Sequence, residues 1–189
     1  MRQKLHDDRL RWMIGDVRDR ERLMACMKNA DYVVHAAALK HISTGQYNPQ
    51  EVIATNIRGS VNVVDMAAAV GVKKVLGLSS DKAIAPSCLY GSTKQIMETL
   101  FMDANHWSAP ATIFSCLRSG NFLESQGNVF EVWERQAQET GEVTLTSPTM
   151  TRCFVETPVV ARLAIRLLEL MEGQEIFVPK MRDYSMLQL

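Results

Sequence analysis

The chain has 189 residues, enough for one domain with a sizeable hydrophobic core, and its 21 Lys and Arg residues balance its 21 Asp and Glu residues. The balanced charge gives no reason to expect nucleic acid or an acidic membrane surface as a partner, and no apolar run approaches the roughly 20 residues of a membrane helix. The start of the chain lacks the apolar segment of a signal peptide, and the four cysteines follow no disulfide or zinc spacing, so we expect a cytoplasmic protein without structural metal or disulfide bonds.

The predicted elements alternate between strands and helices along the whole chain. Asp19 is placed to cap the first helix, Pro49 to begin the second and Gly71 to end it. Strands separated by helices of about ten to twenty residues indicate right-handed crossovers and a parallel sheet covered on both faces, so the predicted fold class is α/β. Strands are predicted over 10–14, 31–35, 72–78, 111–117, 143–145 and 175–178, and helices over 19–28, 49–70, 89–105, 128–139 and 158–171.

The most informative stretch is 75–94, which reads VLGLSSDKAIAPSCLYGSTK. A buried strand stops at the polar cluster 79–82, and the helix that follows carries Tyr90 and Lys94 four residues apart, on one face. An ammonium beside a phenol favours the phenolate and can bring its pKa, about 10 when unperturbed, toward neutrality. Tyr90 could then act as a general base for an alcohol. The same spacing also occurs in partly exposed pairs on ordinary amphipathic helices.

The pattern SSDKAxxPxxLYGxTK resembles the active site of extended short-chain dehydrogenases/reductases. It is most similar to the UDP-N-acetylglucosamine 4,6-dehydratases of the CapD-like polysaccharide biosynthesis group, and the similarity extends from Leu10 to Met181. The resemblance implies a Rossmann-like doubly wound parallel sheet, a cofactor that is NADP or possibly NAD, a UDP-sugar such as UDP-N-acetylglucosamine as substrate, and a homo-oligomer in the full-length enzyme. It also implies a single domain over 1–189, with elements of a small substrate-binding subdomain over 121–189.

The resemblance assigns catalytic roles to five residues. Tyr90, as phenolate, would take the proton of the hydroxyl on carbon 4 of the sugar, and Lys94 would hold the cofactor ribose and lower the pKa of Tyr90. Ser80 would orient the same oxygen, although the family more often has threonine there. Lys82 would remove the hydrogen on carbon 5, and Asp81 would protonate the departing hydroxyl on carbon 6. A lysine at position 82 favours the N-acetylglucosamine group over the dTDP-glucose dehydratases, which resemble T-D-E at this point.

The resemblance also implies binding roles outside this stretch. A plain helix cap is the alternative for Asp16, and a surface arginine without a role is the alternative for Arg152. His35 and His41 are interpreted as structural histidines, and Ser119 stands where the family usually has an aromatic residue. The implied cofactor contacts are Asp16, Val17, Ala36, Ala37, Ala38, Lys40 and Asn56, with Tyr90 and Lys94, and the implied substrate contacts are Lys40, Asn121 and Arg152.

A glycine-rich turn of the form GxGxxG or GxxGxxG, which holds the pyrophosphate in dinucleotide-binding folds, is not found ahead of Leu10. By resemblance 10–14 matches the third strand of the family, so the first βαβ portion is lacking and we expect a piece of a longer enzyme. Such a piece is expected to be poorly stable and to bind cofactor weakly or not at all. Two alternatives stay open: a UDP-sugar 4-epimerase, against which the Asp81–Lys82 pair argues, and an inactive fragment that could dock on a partner chain.

Overall fold

The structure is a computed structural model that describes residues 7–125 and 127–189. Its strands are β1 Tyr32–His35, β2 Lys74–Ser80, β3 Ile113–Ser119, β4 Asn121–Phe122, β5 Thr151–Val155, β6 Ile176–Phe177 and β7 Asp183–Ser185. Its α-helices are α1 Arg20–Met27, α2 Ile42–Tyr47, α3 Pro49–Ile53, α4 Gly59–Val70, α5 Leu89–Ser108, α6 Val129–Thr140 and α7 Thr157–Leu170. A π-helical segment, Ala54–Arg58, joins α3 to α4, and a 3-10 turn, Asp81–Ala83, follows β2.

The main sheet has four strands in the order β1-β2-β3-β6, and all of its pairings are parallel. Gly77 of β2 lies opposite His35 of β1 on one side and Cys116 of β3 on the other. A second, smaller sheet has the order β4-β5-β7, with β4 parallel and β7 antiparallel to β5. The predicted α/β class with a parallel, Rossmann-like sheet is confirmed.

Hydrophobic clusters cover both faces of the main sheet, as the crossover pattern predicts. Adjacent strand residues point to opposite faces, and Val75 and Leu76, which have no exposed surface, belong to different clusters. The Val75 cluster includes Val63 of α4 and Phe101 of α5. The Leu76 cluster includes side chains of α7, so helices pack on each side of the strands.

Local capping signals place the helix ends correctly. The Asp19 side chain accepts a hydrogen bond from the Arg22 backbone N–H at 2.9 Å and begins α1. Gly71 ends α4 in the left-handed conformation, with φ of 75°. The helix predicted over 49–70 is helical throughout but changes to π-helical geometry around Asn56.

Two predicted strands are wrong, and several short elements escaped prediction. Residues 10–14 lie outside any strand in the described chain, and the side chain of Ile14 is 92% exposed. A strand needs a neighbour for its backbone N–H and C=O groups, and the described residues offer none at this position. Residues 143–145 are likewise outside any strand in the part of the chain that the structure describes. The unpredicted elements are α2, β4, β5 and β7.

Candidate active site

A hydrogen-bonded cluster forms where β2 ends and the 3-10 turn begins. The Ser80 hydroxyl donates to Asp81 Oδ1 at 2.8 Å and accepts from the Lys82 backbone N–H at 3.3 Å. The Lys82 ammonium lies 3.1 Å from the same Asp81 oxygen. The three polar side chains that the sequence places after this strand therefore form one unit.

The first turn of α5 brings Tyr90 to this cluster, where its hydroxyl lies beside Ser80. The next residue, Gly91, permits the close approach of the helix to the turn. A Cβ atom at position 91 would lie 2.2 Å from the Lys82 carbonyl oxygen, far inside van der Waals contact. The absence of a side chain at Gly91 thus lets Tyr90 and the Ser80–Lys82 turn share one site.

The expected lowering of the Tyr90 pKa by Lys94 is wrong for this structure. Burial raises the pKa of Tyr90, and the nearby Asp81 carboxylate raises it further. The Lys94 ammonium donates to the Leu78 carbonyl oxygen at 2.7 Å. Burial lowers the pKa of Lys94 to about 8, which still leaves most of the side chain charged at neutral pH.

A cleft of about 630 Å³ opens over this cluster. Ser80, Lys82 and Tyr90 lie on one wall, the loop after β1 contributes a second wall, and the small sheet contributes a third. The loop residues include Lys40 and His41, and the residues from the small sheet are Asn121, Phe122, Arg152 and Phe154.

Asn121 connects the small sheet to the cluster. Its Oδ1 accepts a hydrogen bond from the Lys82 ammonium at 2.9 Å, and its Nδ2 donates to the Cys153 carbonyl oxygen at 3.2 Å. Both ends of the amide therefore have partners within the protein. A direct contact of Asn121 with a sugar nucleotide stays a prediction.

Asn56 holds the loop after β1 in place through hydrogen bonds of its buried side chain. Its side chain is 2% exposed, and its amide accepts from the Leu39 N–H at 2.7 Å and donates to the Leu39 carbonyl oxygen at 2.9 Å. A further hydrogen bond, at 3.0 Å, runs to the Thr93 hydroxyl of α5. Asn56 thus acts on the cleft by holding the backbone that carries Lys40 against α5.

Asp16 has a different partner from the one expected of a helix cap. Arg18 donates to both Asp16 carboxylate oxygens, and these hydrogen bonds lower the pKa of Asp16 to about 2. The cap of α1 is Asp19, so the capping alternative for Asp16 is wrong. Val17 packs against Gly59, where a Cβ atom would lie 2.7 Å from a Val17 methyl carbon. Adenine contacts by Asp16 and Val17 stay predictions.

The histidine that ends β1 is structural, as the sequence suggested. His35 is buried, its Nε2 lies 3.1 Å from the Ser60 hydroxyl, and burial lowers the pKa of its imidazole to about 3. Ala36 and Ala37 follow it at the carboxyl end of β1 with exposed side chains, and Ala38 is half-buried. Small side chains here leave the backbone open to a flat ligand.

The family model described as polysaccharide biosynthesis protein matches residues 1–189. The chain belongs to this polysaccharide biosynthesis protein family. Among its relatives, the UDP-N-acetylglucosamine 4,6-dehydratase (inverting) of Campylobacter jejuni is 41% identical over 182 residues, which cover 95% of this chain and 54% of the relative. A UDP-glucose 4-epimerase of Rickettsia bellii is 36% identical over 95% of this chain and 53% of the relative.

Among solved structures, the X-ray structure of Pen from Bacillus thuringiensis superposes on this polysaccharide biosynthesis protein with a TM-score of 0.88 at 38% identity. The superposition covers 94% of this chain and 56% of Pen. The chain thus spans about half the length of the relatives that it matches.

Several site residues of this polysaccharide biosynthesis protein were not predicted from its sequence. Phe154 of β5 and Met186, the residue after β7, line the cleft beside a small sheet whose strands are too short to give a clear pattern. Arg118, at the end of β3, forms two hydrogen bonds, at 2.8 and 2.7 Å, with the buried Glu98 carboxylate of α5. Arg152 is exposed at the cleft, where its guanidinium donates to the Thr151 carbonyl oxygen, and a phosphate contact stays a prediction.

Within residues 7–125 and 127–189, no group of three or more His, Cys, Asp or Glu side chains could hold a metal ion. Among the helices that the structure describes, none has both the length and the apolar character needed to cross a membrane.

Proposed function

We propose that this protein functions as a nucleotide-sugar 4,6-dehydratase, which acts on UDP-N-acetylglucosamine and removes water across carbons 5 and 6. The observation that carries the proposal is the cluster of Ser80, Asp81, Lys82 and Tyr90, of which Ser80, Lys82 and Tyr90 line one cleft. Ser80 and Tyr90 suit alcohol oxidation, while a carboxyl and an amine in contact suit an elimination. The 41% identity to a dehydratase of this specificity supports the same reading.

The residues around Lys94 fit the reactive end of NADP or NAD. The buried Lys94 ammonium has three donors and one oxygen acceptor within the described residues, so it can also bind ribose hydroxyls. Ser79 is 5% exposed at the cleft, and its hydroxyl has no partner in the part of the chain described. NADP is the first choice and NAD the alternative. When bound, the dinucleotide would take a hydride from carbon 4 of the sugar and later return it to carbon 6.

Tyr90 is the base that we assign to the first proton. Its side chain lines the cleft with Ser80, whose hydroxyl donates to the Asp81 carboxylate at 2.8 Å. Ionised Tyr90 would take the proton of the carbon 4 hydroxyl and release it to solvent after turnover, and Ser80 would orient the same oxygen. Burial raises the pKa of Tyr90 and therefore opposes its ionisation.

The contact between Asp81 and Lys82 prepares both groups for the elimination. Transfer of one proton across the 3.1 Å contact turns an ion pair into a neutral carboxylic acid and a neutral amine. The Lys82 amine can then remove the carbon 5 proton while Asp81 protonates the departing carbon 6 hydroxyl, which leaves as water. Lys82 afterwards returns its proton to carbon 5, so the sugar loses one water in total.

A UDP-sugar 4-epimerase is the second candidate, because a relative of that name is 36% identical. An epimerase would use Ser80 and Tyr90 but has no elimination to catalyse. The Asp81–Lys82 pair would then have no chemical role. We also expect the full-length enzyme to be a homo-oligomer, which measurement of its mass in solution would test.

The proposal is tested on the protein extended upstream to the length of its relatives, by incubating it with UDP-N-acetylglucosamine and NADP or NAD and following the mass of the nucleotide sugar. We expect the loss of one water, and we expect Tyr90→Phe and Lys82→Met each to slow it by about 100-fold or more. Lys28→Met, which removes an exposed lysine outside the cleft, is the matched control and should leave the rate unchanged. A sugar of unchanged mass with inverted carbon 4, formed equally well by Lys82→Met, would favour the epimerase.

A further inference from the structure

We propose that Asn121 is a positioning residue that holds the Lys82 amine at a fixed place and orientation. This inference rests on the proposed function, because it assigns Asn121 to the base of the elimination and not to the substrate. The Lys82 ammonium has three donors, and the described residues supply two acceptors, Asp81 Oδ1 at 3.1 Å and Asn121 Oδ1 at 2.9 Å. The Lys82 amine is thereby held between the 3-10 turn and the small sheet.

The amide of Asn121 is itself held in place. Its Nδ2 donates to the Cys153 carbonyl oxygen, and Asn121 pairs with Phe154 in the β4–β5 ladder. The neighbouring Gly120 allows the two strands to lie this close, since a Cβ atom there would be 2.6 Å from the same Cys153 oxygen. The donor end of the amide is therefore fixed, and the acceptor end must face Lys82.

A neutral acceptor suits a lysine that has to give up its charge. When Lys82 passes a proton to Asp81, the resulting amine keeps two N–H donors and gains one lone pair. A hydrogen bond from one N–H to Asn121 restricts the direction of that lone pair. A carboxylate in place of the amide would instead favour the charged ammonium and oppose the transfer. An amide at position 121 thus orients the base and favours its protonated form less strongly than a carboxylate would.

The test measures how fast each lysine is acylated by a limiting amount of acetic anhydride, read by mass spectrometry in the absence of substrate. Only the neutral amine reacts, so the acylation rate of a lysine depends both on the proton affinity of its amine and on how firmly hydrogen bonds hold that amine in place. In Asn121→Ala we expect Lys82 to react at least about threefold faster, because a hydrogen bond to a charged group is lost. In Asn121→Asp we expect Lys82 to react more slowly than in the unaltered protein.

Controls separate this effect from general loss of structure. Ser125→Ala removes a cleft hydroxyl whose one hydrogen bond within residues 7–125 and 127–189 is to the Phe122 carbonyl oxygen, and it should leave the Lys82 rate unchanged. Lys28 and Lys73 report the fold within every sample, because unfolding would accelerate all lysines together. If Asn121→Ala does not fold, two other comparisons test the proposal. Lys82 should react more slowly in Asn121→Asp than in the unaltered protein, and in the unaltered protein Lys82 should react more slowly than Lys28.

Equal Lys82 rates in the unaltered protein and both Asn121 variants would overturn the proposal. The labelling needs neither substrate nor cofactor, so its outcome is independent of turnover. A protein that dehydrates no nucleotide sugar but shows the expected rates would contradict the proposed function alone. A dehydratase whose Lys82 reacts equally in all variants would contradict the role of Asn121 alone.

Discussion

At the scale of single residues, the site depends on a close contact between a glycine and a carbonyl oxygen. Gly91 brings α5 against the backbone of Lys82, and this contact places the Tyr90 hydroxyl beside Ser80. Backbone atoms cannot swing aside as a long side chain can. A methyl group at position 91 must therefore separate the helix from the turn.

We expect Gly91→Ala to destabilise the protein by about 1–3 kcal/mol through overpacking and to reduce dehydration strongly, because Tyr90 leaves the cluster. Urea unfolding followed by circular dichroism measures the first effect, and the water-loss assay measures the second. Gln95→Ala, at an exposed position one turn along the same helix, is the matched control. Unchanged stability in Gly91→Ala would contradict the close contact.

Sequence motifs located the reactive residues but not their electrostatics. The pattern around Ser80, Asp81, Lys82 and Tyr90 predicted which side chains meet, and the structure brings them together. The direction of the Tyr90 pKa was predicted wrongly, because spacing along a helix does not reveal burial or the carbonyl oxygen that Lys94 binds.

At the scale of elements, β1 and α4 are joined by a buried polar contact. His35 at the end of β1 meets the Ser60 hydroxyl in the first turn of α4, and both side chains are buried. The Ser60 hydroxyl also donates to the Asn56 carbonyl oxygen in the π-helical segment. The position of this strand relative to the helix therefore depends on an imidazole that stays neutral.

This contact predicts a loss of stability in mild acid. The pKa of His35 falls from its ordinary 6.5 to about 3 in the folded protein, so the unfolded chain takes up the proton first as the pH decreases. The stability from neutral His35 is fully present above about pH 6.5 and is lost as the pH falls from there toward 3. We expect about 2 kcal/mol less at pH 5 than at pH 7.5.

The measurement is urea unfolding across this pH range in the unaltered protein and in His35→Gln. Glutamine can keep a hydrogen bond to Ser60 but does not titrate, so the variant should lose most of the pH dependence between 7.5 and 5. Two parallel curves would show that another group is responsible.

The elements that could be predicted were those with local signals. Asp19 and Gly71 mark helix ends by capping chemistry that acts within a few residues, and both were correct. The small sheet consists of strands of two to five residues, which exist because β4, β5 and β7 pair with one another. Pairing of this kind depends on residues distant in sequence, so no local pattern predicted it.

At the scale of the whole molecule, burial is distributed unevenly. The helix α5 contributes eight buried residues to the structure, whereas α6 contributes none. The contacts of α6 are peripheral, as in the packing of Phe130 against Phe154 at a ring distance of 5.1 Å. Alternation of strands and helices predicted the parallel sheet, but how tightly each helix packs depends on tertiary neighbours.

We expect amide hydrogen exchange to follow this distribution. Backbone amides of α6 should exchange at least about 100-fold faster than those of β2 and of the buried face of α5, because α6 can open without exposing core side chains. Exchange measured by mass spectrometry of peptic peptides tests this. Equal protection in α5 and α6 would contradict it.

The two edges of the main sheet differ in what they can accept. β6 pairs through two residues, while β1 is four residues long and, among the described residues, has a partner on one side only. The backbone N–H and C=O groups on its free side could pair with another strand. The half-exposed side chains of Tyr32 and Val34 supply apolar surface beside them. A further strand that extends this sheet would therefore pair with β1. It would then lie near the carboxyl ends of the parallel strands, where the cleft is.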